Sequence, residues 1–401
     1  MSRPPPTPSA LLLVILAALI AAGPAATQLM LPALPAVQET FGAGVSAVQL
    51  AVSLSFFAMA VATLAWGPVS DRLGRRPVAL VGLGIFIAGS IVCWLAPTLP
   101  ILILGRVVQA VGAASGGIAR AIVQDVYGTG GAARALSLIG MAMALAPMVA
   151  AIAGGIITEA FGWRANFVGI AAIGALMLAL TLTSLRESRP AAASARGNAW
   201  TPQRRSMFHL YAAQSALSMG AFFAFIAGAP YMIVTALKLP ASSYGLVFVV
   251  GGVGYALGGL LSARLGGRHG IDRMVLTGAS IAALAGLAMA LLLFAGWWTL
   301  WAVAVPCAFV GLGIGVVQPN AQAGALAAVP DAAGAGSSTL GFLQLLTGAA
   351  VAQAVGVLMT HTALAMPLAI ALLGAATWLI CVPRALGRRP VSALEHPAPP
   401  R

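Results

Sequence analysis

The sequence predicts an all-α polytopic membrane protein of twelve transmembrane helices, arranged as two parallel six-helix repeats. Three observations carry that prediction. Of the 401 residues, 60% are hydrophobic and 7% are charged, whereas a soluble domain carries roughly 25% charged residues. Too few charges exist to cover a water-facing surface, so lipid must be the main solvent. Twelve apolar runs follow one another, most of them close to the ~20 residues that span a hydrocarbon core about 30 Å thick. Basic residues then fall on alternate connections between those runs, and one basic heptapeptide occurs twice.

The runs lie near residues 10–32, 46–66, 78–96, 99–121, 135–158, 165–185, 207–233, 243–263, 273–294, 298–321, 335–358 and 363–383. The first begins after Arg3 and resembles a secretory signal, with an apolar stretch followed by small residues. Its apolar character continues through "TQLMLPALP", so a first spanning helix is expected instead. One connection is long: "RESRPAAASARGNAWTPQRRS", residues 186–206, is rich in Pro, Ala, Ser and Arg and reads as a flexible linker. It separates an N-terminal bundle, 1–185, from a C-terminal bundle, 207–383, with a tail at 384–401.

Orientation follows from the basic residues. With the N-terminus inside, eighteen of the 21 Lys and Arg fall on inner connections and tails, and only Arg164 and Lys238 fall on outer ones. Positive residues stay on the cytoplasmic side, so both termini are expected there and the number of spans is even. The net charge of +13 is spread over these short clusters rather than over one soluble module, which argues against nucleic acid as a partner. Cys93, Cys307 and Cys381 lie in apolar runs and read as small buried side chains rather than disulfide partners. The heptapeptide "SDRLGRR" at 70–76 returns as "SARLGGR" at 262–268, with five of seven positions identical and an offset of 192 residues. Each copy lies between the second and third helix of its half. The halves therefore share one orientation, related by an axis along the membrane normal.

The 70–76 connection concentrates Asp71, Arg72, Arg75 and Arg76 in a chain that has few charges. Gly67 and Gly74 are expected to let the backbone turn and pack closely, and the arginines to hold the loop at the anionic leaflet. Asp71 is either a local charge balance or a clasp that caps another helix or pairs with an arginine across the seam between halves. Arg120 and the segment "DAAGAGSSTL" that opens the eleventh helix are its expected receivers.

The pattern G-x-x-x-D-R-x-G-R-R between the second and third helices resembles the signature loop of the major facilitator superfamily. "LGRVVQAVGAASGG" (104–117) is similar to that family's helix 4 motif, and "ALAPMVAAIAGGIITEAFGWRANF" (144–167) to its antiporter motif on helix 5. "MLPALP", "RAIVQDVY" and "GLGIGVVQPNAQAGAL" resemble the branch of bicyclomycin and chloramphenicol exporters. The resemblance implies a major facilitator fold in a bacterial inner membrane, with two bundles rocking around a central cavity. It also implies efflux of small molecules by proton antiport, with Arg106 serving substrate or proton coupling. In such exporters an acid commonly precedes the "YLPALP"-like stretch, but here that position is Gln28, which cannot titrate.

Arg106 is the one charged residue well within a predicted span, and a charge at that depth is a functional candidate by default. Snorkelling to the outer surface is the plain alternative. Gln28, Gln109, Gln214, Gln318 and Asn320 are expected to supply polar anchors to the cavity, and Tyr231 an aromatic one. Asp125 is the substitute considered for the missing acid, though an inner Arg–Asp pair also serves structure alone. Pro147, with Gly154 and Gly155, forms an expected hinge on helix 5, for which static curvature is the rival.

A membrane-embedded enzyme is excluded by the lack of an HExxH motif, of a paired intramembrane carboxylate and of a Ser–His pair, and ATP-driven transport by the lack of a phosphate loop. No cofactor and no metal site are expected. The expected partners are a small-molecule substrate, protons if coupling holds, and the bilayer, around a monomer. An uncoupled facilitator, an importer of a small metabolite and a transporter-derived sensor or scaffold remain alternatives.

Overall fold

A computed structural model describes residues 10–185, 187–188, 202–330 and 333–385. Most of the predicted linker, the predicted tail beyond residue 385, and residues 331–332 at the head of "DAAGAGSSTL" lie outside these, as does the side chain of Arg134. Among the described residues twelve helical stretches are long and apolar enough to cross a bilayer. They are numbered here as spans 1 to 12: Leu11–Phe41, Val45–Leu73, Arg75–Leu95, Leu99–Tyr127, Ile139–Phe161, Trp163–Ser184, Arg204–Ala236, Ser242–His269, Ile271–Phe294, Leu300–Ala327, Gly334–Leu358 and Ala365–Pro383.

The helices outrun the apolar runs. Span 2 stays helical to Leu73, so Asp71 and Arg72 ride on its last turn instead of on a loop. Helical backbone also runs unbroken from Ile118 to Phe161, through the glycines read as a connection. At 1.5 Å per residue these 44 residues measure about 66 Å, more than twice the hydrocarbon core. The stretch therefore supplies the end of span 4 and all of span 5. A helix that satisfies its own backbone loses nothing by extending polar turns into the interface. The two copies of the basic heptapeptide end their helices differently. Gly74 breaks the first at φ 101°, but the matching Gly266 stays helical and the second breaks four residues later at Gly270, φ 78°.

Large apolar side chains such as Phe57, Leu176, Leu284 and Trp301 remain exposed, the outer face that lipid would cover. Inside, the core is divided unequally along the span axis. At the ends of the spans away from the 70–76 turn, one continuous core joins spans 1–6 to spans 7–12, from Leu29, Val52, Phe56 and Ala150 to Phe223, Tyr244, Phe248 and Val355. At the end that carries the turn, the cores separate. One contains Ile15, Leu83, Ile122 and Met177, all from spans 1–6. Two others, around Phe208 and Leu340 and around Val275 and Cys381, draw only on spans 7–12.

Candidate functional site

Spans 3 and 4 approach backbone to backbone. A Cβ on Gly89 would strike the backbone of Gln109, and one on Gly112 would strike Phe86. This contact sets Ser90 beside Gln109 and fixes a chain of donors. Arg106 donates from Nη1 to Gln109 Oε1. Gln109 Nε2 donates to Ser90 Oγ at 2.8 Å, and Ser90 donates to the Phe86 carbonyl at 2.7 Å. The amide of Gln109 is thus oriented, with its oxygen toward the cation. Arg106 is 2% exposed and its Nε has no partner. The residue lines a narrow pocket of about 10 Å³, walled by Ala26, Phe56, Met59, Phe86, Ala110 and Ala113. Arg106 therefore does not snorkel outward; it faces a cavity among spans 1 to 4.

Gln28, also buried, reaches across the seam: Tyr244 of span 8 donates its hydroxyl to Gln28 Oε1 at 2.9 Å. Three more hydrogen bonds cross at the same end. Ser53 donates to Gln353 Oε1 at 2.8 Å, Gln353 donates to the Ser46 carbonyl at 3.2 Å, and the Ser242 amide donates to Glu159 at 2.7 Å. Gln318 forms a hub with Ser215 (2.9 Å), Gln322 (3.1 Å) and Gln344 (3.4 Å). Gln214 is wholly buried, with neither amide atom partnered, and the buried Tyr231 hydroxyl also lacks a partner. Asn320 instead ties span 10 to span 8 through Ser262 at 2.6 Å. Ser90, Tyr244, Gln344 and Gln353 escaped the sequence reading. The three that are amide or hydroxyl groups on apolar runs other than Tyr244 carry the same signal that picked out Gln28, the cost of a polar group in lipid.

The signature turn is built within spans 1–6. Arg75 pairs with Asp71 one turn back at 2.6 Å and with Asp125 at 3.4 Å, and it also donates to Ser70 Oγ at 2.5 Å. The structure thus joins Asp125 to Arg75, while Arg120 lies exposed against Met143 at 3.7 Å. Among the described residues, Asp71 reaches neither Arg120 nor another helix terminus. The carboxylate that caps a helix is Glu187, which accepts from the Arg75 and Arg76 backbone amides at 2.7 and 3.2 Å, at the N-terminus of span 3. Gly74 makes room for it, since a Cβ there would lie 2.6 Å from Glu187 Oε2. Gly67 is helical with open space around it, so it makes no turn. Arg72 is exposed, and Arg76 donates to the Leu182 carbonyl at 2.8 Å. On span 5, Pro147 lies inside the helix. Gly154 abuts the Leu29 backbone, and Gly155 abuts Ser242 of the other half.

A twelve-span helical chain with a buried cation facing an internal pocket defines a membrane transporter more readily than any enzyme. The model of the Major Facilitator Superfamily matches residues 12–353, and the chain belongs to that family. It is 28% identical over 338 residues to multidrug resistance protein D of Escherichia coli (strain K12), covering 83% of this chain and 85% of that one. It is 28% identical over 333 residues to multidrug resistance protein MdtL of Escherichia fergusonii, covering 82% and 84%. Among solved structures, a bacterial homologue of the human lysosomal transporter Spinster, inward-facing and unoccupied, superposes with a TM-score of 0.71 at 16% identity, covering 94% of this chain and 95% of that one. A POT family transporter in complex with 5-aminolevulinic acid superposes at 0.76 and 13% identity, with the same coverage. The chain is a multi-pass membrane transporter and not an enzyme.

Proposed function

We propose that this transporter exports small amphipathic molecules across a bacterial inner membrane by alternating access, as a monomer, with residues 1–185 and 207–383 rocking as two bodies. The observation that carries the reading is the unequal seam: one shared core at one end, separate cores at the other. Such a seam can close at either end in turn around a midplane site. The end with separate cores bears Arg72, Arg75, Arg76, Arg120, Arg264 and Arg268, so the positive-inside rule puts it in the cytoplasm and makes this an inward-open state. The relatives' names support efflux as the direction.

Coupling is the finer question. Proton antiport needs a group that titrates as access changes. Gln28 occupies the span 1 position and makes a neutral bond across the seam, which favours a second reading, an uncoupled facilitator. Flux of chloramphenicol, ethidium and naphthoate, a neutral, a cationic and an anionic probe, into proteoliposomes with and without an imposed pH gradient tests both. Uphill accumulation driven by the gradient supports antiport. Flux that ignores the gradient supports the facilitator, and no flux of any of the three probes overturns export of such molecules.

A further inference from the structure

We infer that the pocket beside Arg106 binds the anionic group of an amphipathic substrate, so that the molecules this chain carries best are organic anions. The inference rests on the transport reading and adds the substrate's charge. Its basis is that Arg106 is a buried cation with no counter-ion among the described residues. Its hydrogen bond runs to a neutral amide, and its Nε is orphaned. Every acid among the described residues is placed elsewhere. Asp71 and Asp125 face Arg75, Glu159 accepts from the Ser242 amide, Glu187 caps span 3, Asp272 accepts from Tyr211 at 2.8 Å, and Glu39 is exposed at the far end of span 1.

A guanidinium stays charged at any physiological pH, and a charge buried at membrane depth without a partner is costly. An incoming carboxylate, sulfonate or phosphate would relieve that cost, and the planar fork suits two-point binding of such a group. A cation entering the same pocket would meet uncompensated repulsion. The neighbouring hydroxyls cannot replace the arginine as donors. Thr27 spends its proton on the Gly23 carbonyl at 3.1 Å, and Ser55 spends its own on the Ala51 carbonyl at 2.6 Å. Phe56, Met59 and Phe86 flank the arginine with apolar surface, which must part to admit the body of the molecule.

The test is equilibrium binding to the purified full chain in phosphatidylcholine nanodiscs, with three probes of one shape: naphthoate, naphthamide and naphthylmethylammonium. The expected result is naphthoate binding tighter than the other two by about tenfold or more. Arg106→Gln should erase that preference and Arg106→Lys should keep part of it. Equal or tighter binding of the amide or the ammonium to the wild type overturns the inference, and so does the lack of saturable binding by any probe. Loss of expression in Arg106→Gln does not shield it, because the wild-type order of affinities decides alone. Displacement of naphthoate by added phosphatidylglycerol would assign the site to a lipid headgroup and overturn the substrate claim. Faster transport of ethidium than of naphthoate in proteoliposomes would sink this inference while leaving export intact.

Discussion

Tyr244 and Gln28 lie 216 positions apart, and their hydrogen bond is buried in the closed end of the seam. Tyr244→Phe leaves a buried carbonyl oxygen with no donor. Polar pairs between membrane helices contribute about 0.6–2 kcal/mol, so the loss should shift the closed-to-open ratio at that end by roughly three- to thirtyfold. Maleimide labelling of Ile152→Cys, which packs on Gly245 across the seam, should speed up accordingly; an unchanged rate would show that the bond does not latch this end. Gln28→Glu asks a different question at the same atom, because it puts a titratable group where the bond is neutral. Transport by that variant is expected to become dependent on an imposed pH gradient, and proteoliposome flux that stays indifferent would remove Gln28 from the account of coupling. The burial of Gln28, Gln109, Gln214 and Gln318 was legible in the sequence, since an amide on an apolar run must hide from lipid. Their partners were not, because nothing local encodes a bond between residues so distant along the chain.

Span 3 shows the same limit for a whole element. Its start was legible to within three residues, but the acid that caps it was not, since Asp71 was expected to reach another helix or an arginine across the seam. The acid is Glu187, 112 positions from the Arg75 amide it receives, and tertiary approach rather than sequence proximity selects it. Glu187→Ala should cost about 0.5–2 kcal/mol as a lost cap at a helix N-terminus, read as a lower thermal unfolding midpoint. Gly74→Ala should cost more, since it forces a side chain onto φ 101° and onto the Glu187 carboxylate. The double variant should then be less destabilised than the sum of the two, because removing Glu187 relieves the collision. Strict additivity would mean that the cost at Gly74 is backbone strain alone. Of the glycines of span 5, Gly155 bears on the seam and Gly154 on span 1. Gly154 and Gly155 were read as a hinge, and they are the surfaces on which span 5 meets Leu29 and Ser242.

For the molecule as a whole, hydropathy was enough to lay out twelve spans, since the bilayer imposes it on every residue. Which end of the seam is closed could not be read. One sequence must support both arrangements if it alternates, so its pattern cannot favour one visibly. The closed end is held by Ser53 and Gln353 among others, and this gives the most direct test of rocking. In the double variant Ser53→Cys, Gln353→Cys, the new thiols replace side chains that now touch at 2.8 Å. The native Cys93, Cys307 and Cys381 are buried and should not compete for the reagent. A short bis-methanethiosulfonate, which bridges the gap left by the shortened residue 353, should join spans 2 and 11 and hold that end shut, leaving the arginine-rich end open. Substrate could still enter from one side, but transport across the membrane should stop, and a reductant should restore it. Equilibrium binding of substrate should survive the cross-link, which separates a jammed cycle from a damaged site. If the cross-linked protein transports at the full rate, spans 2 and 11 do not part during the cycle, and the seam described here is not the moving one.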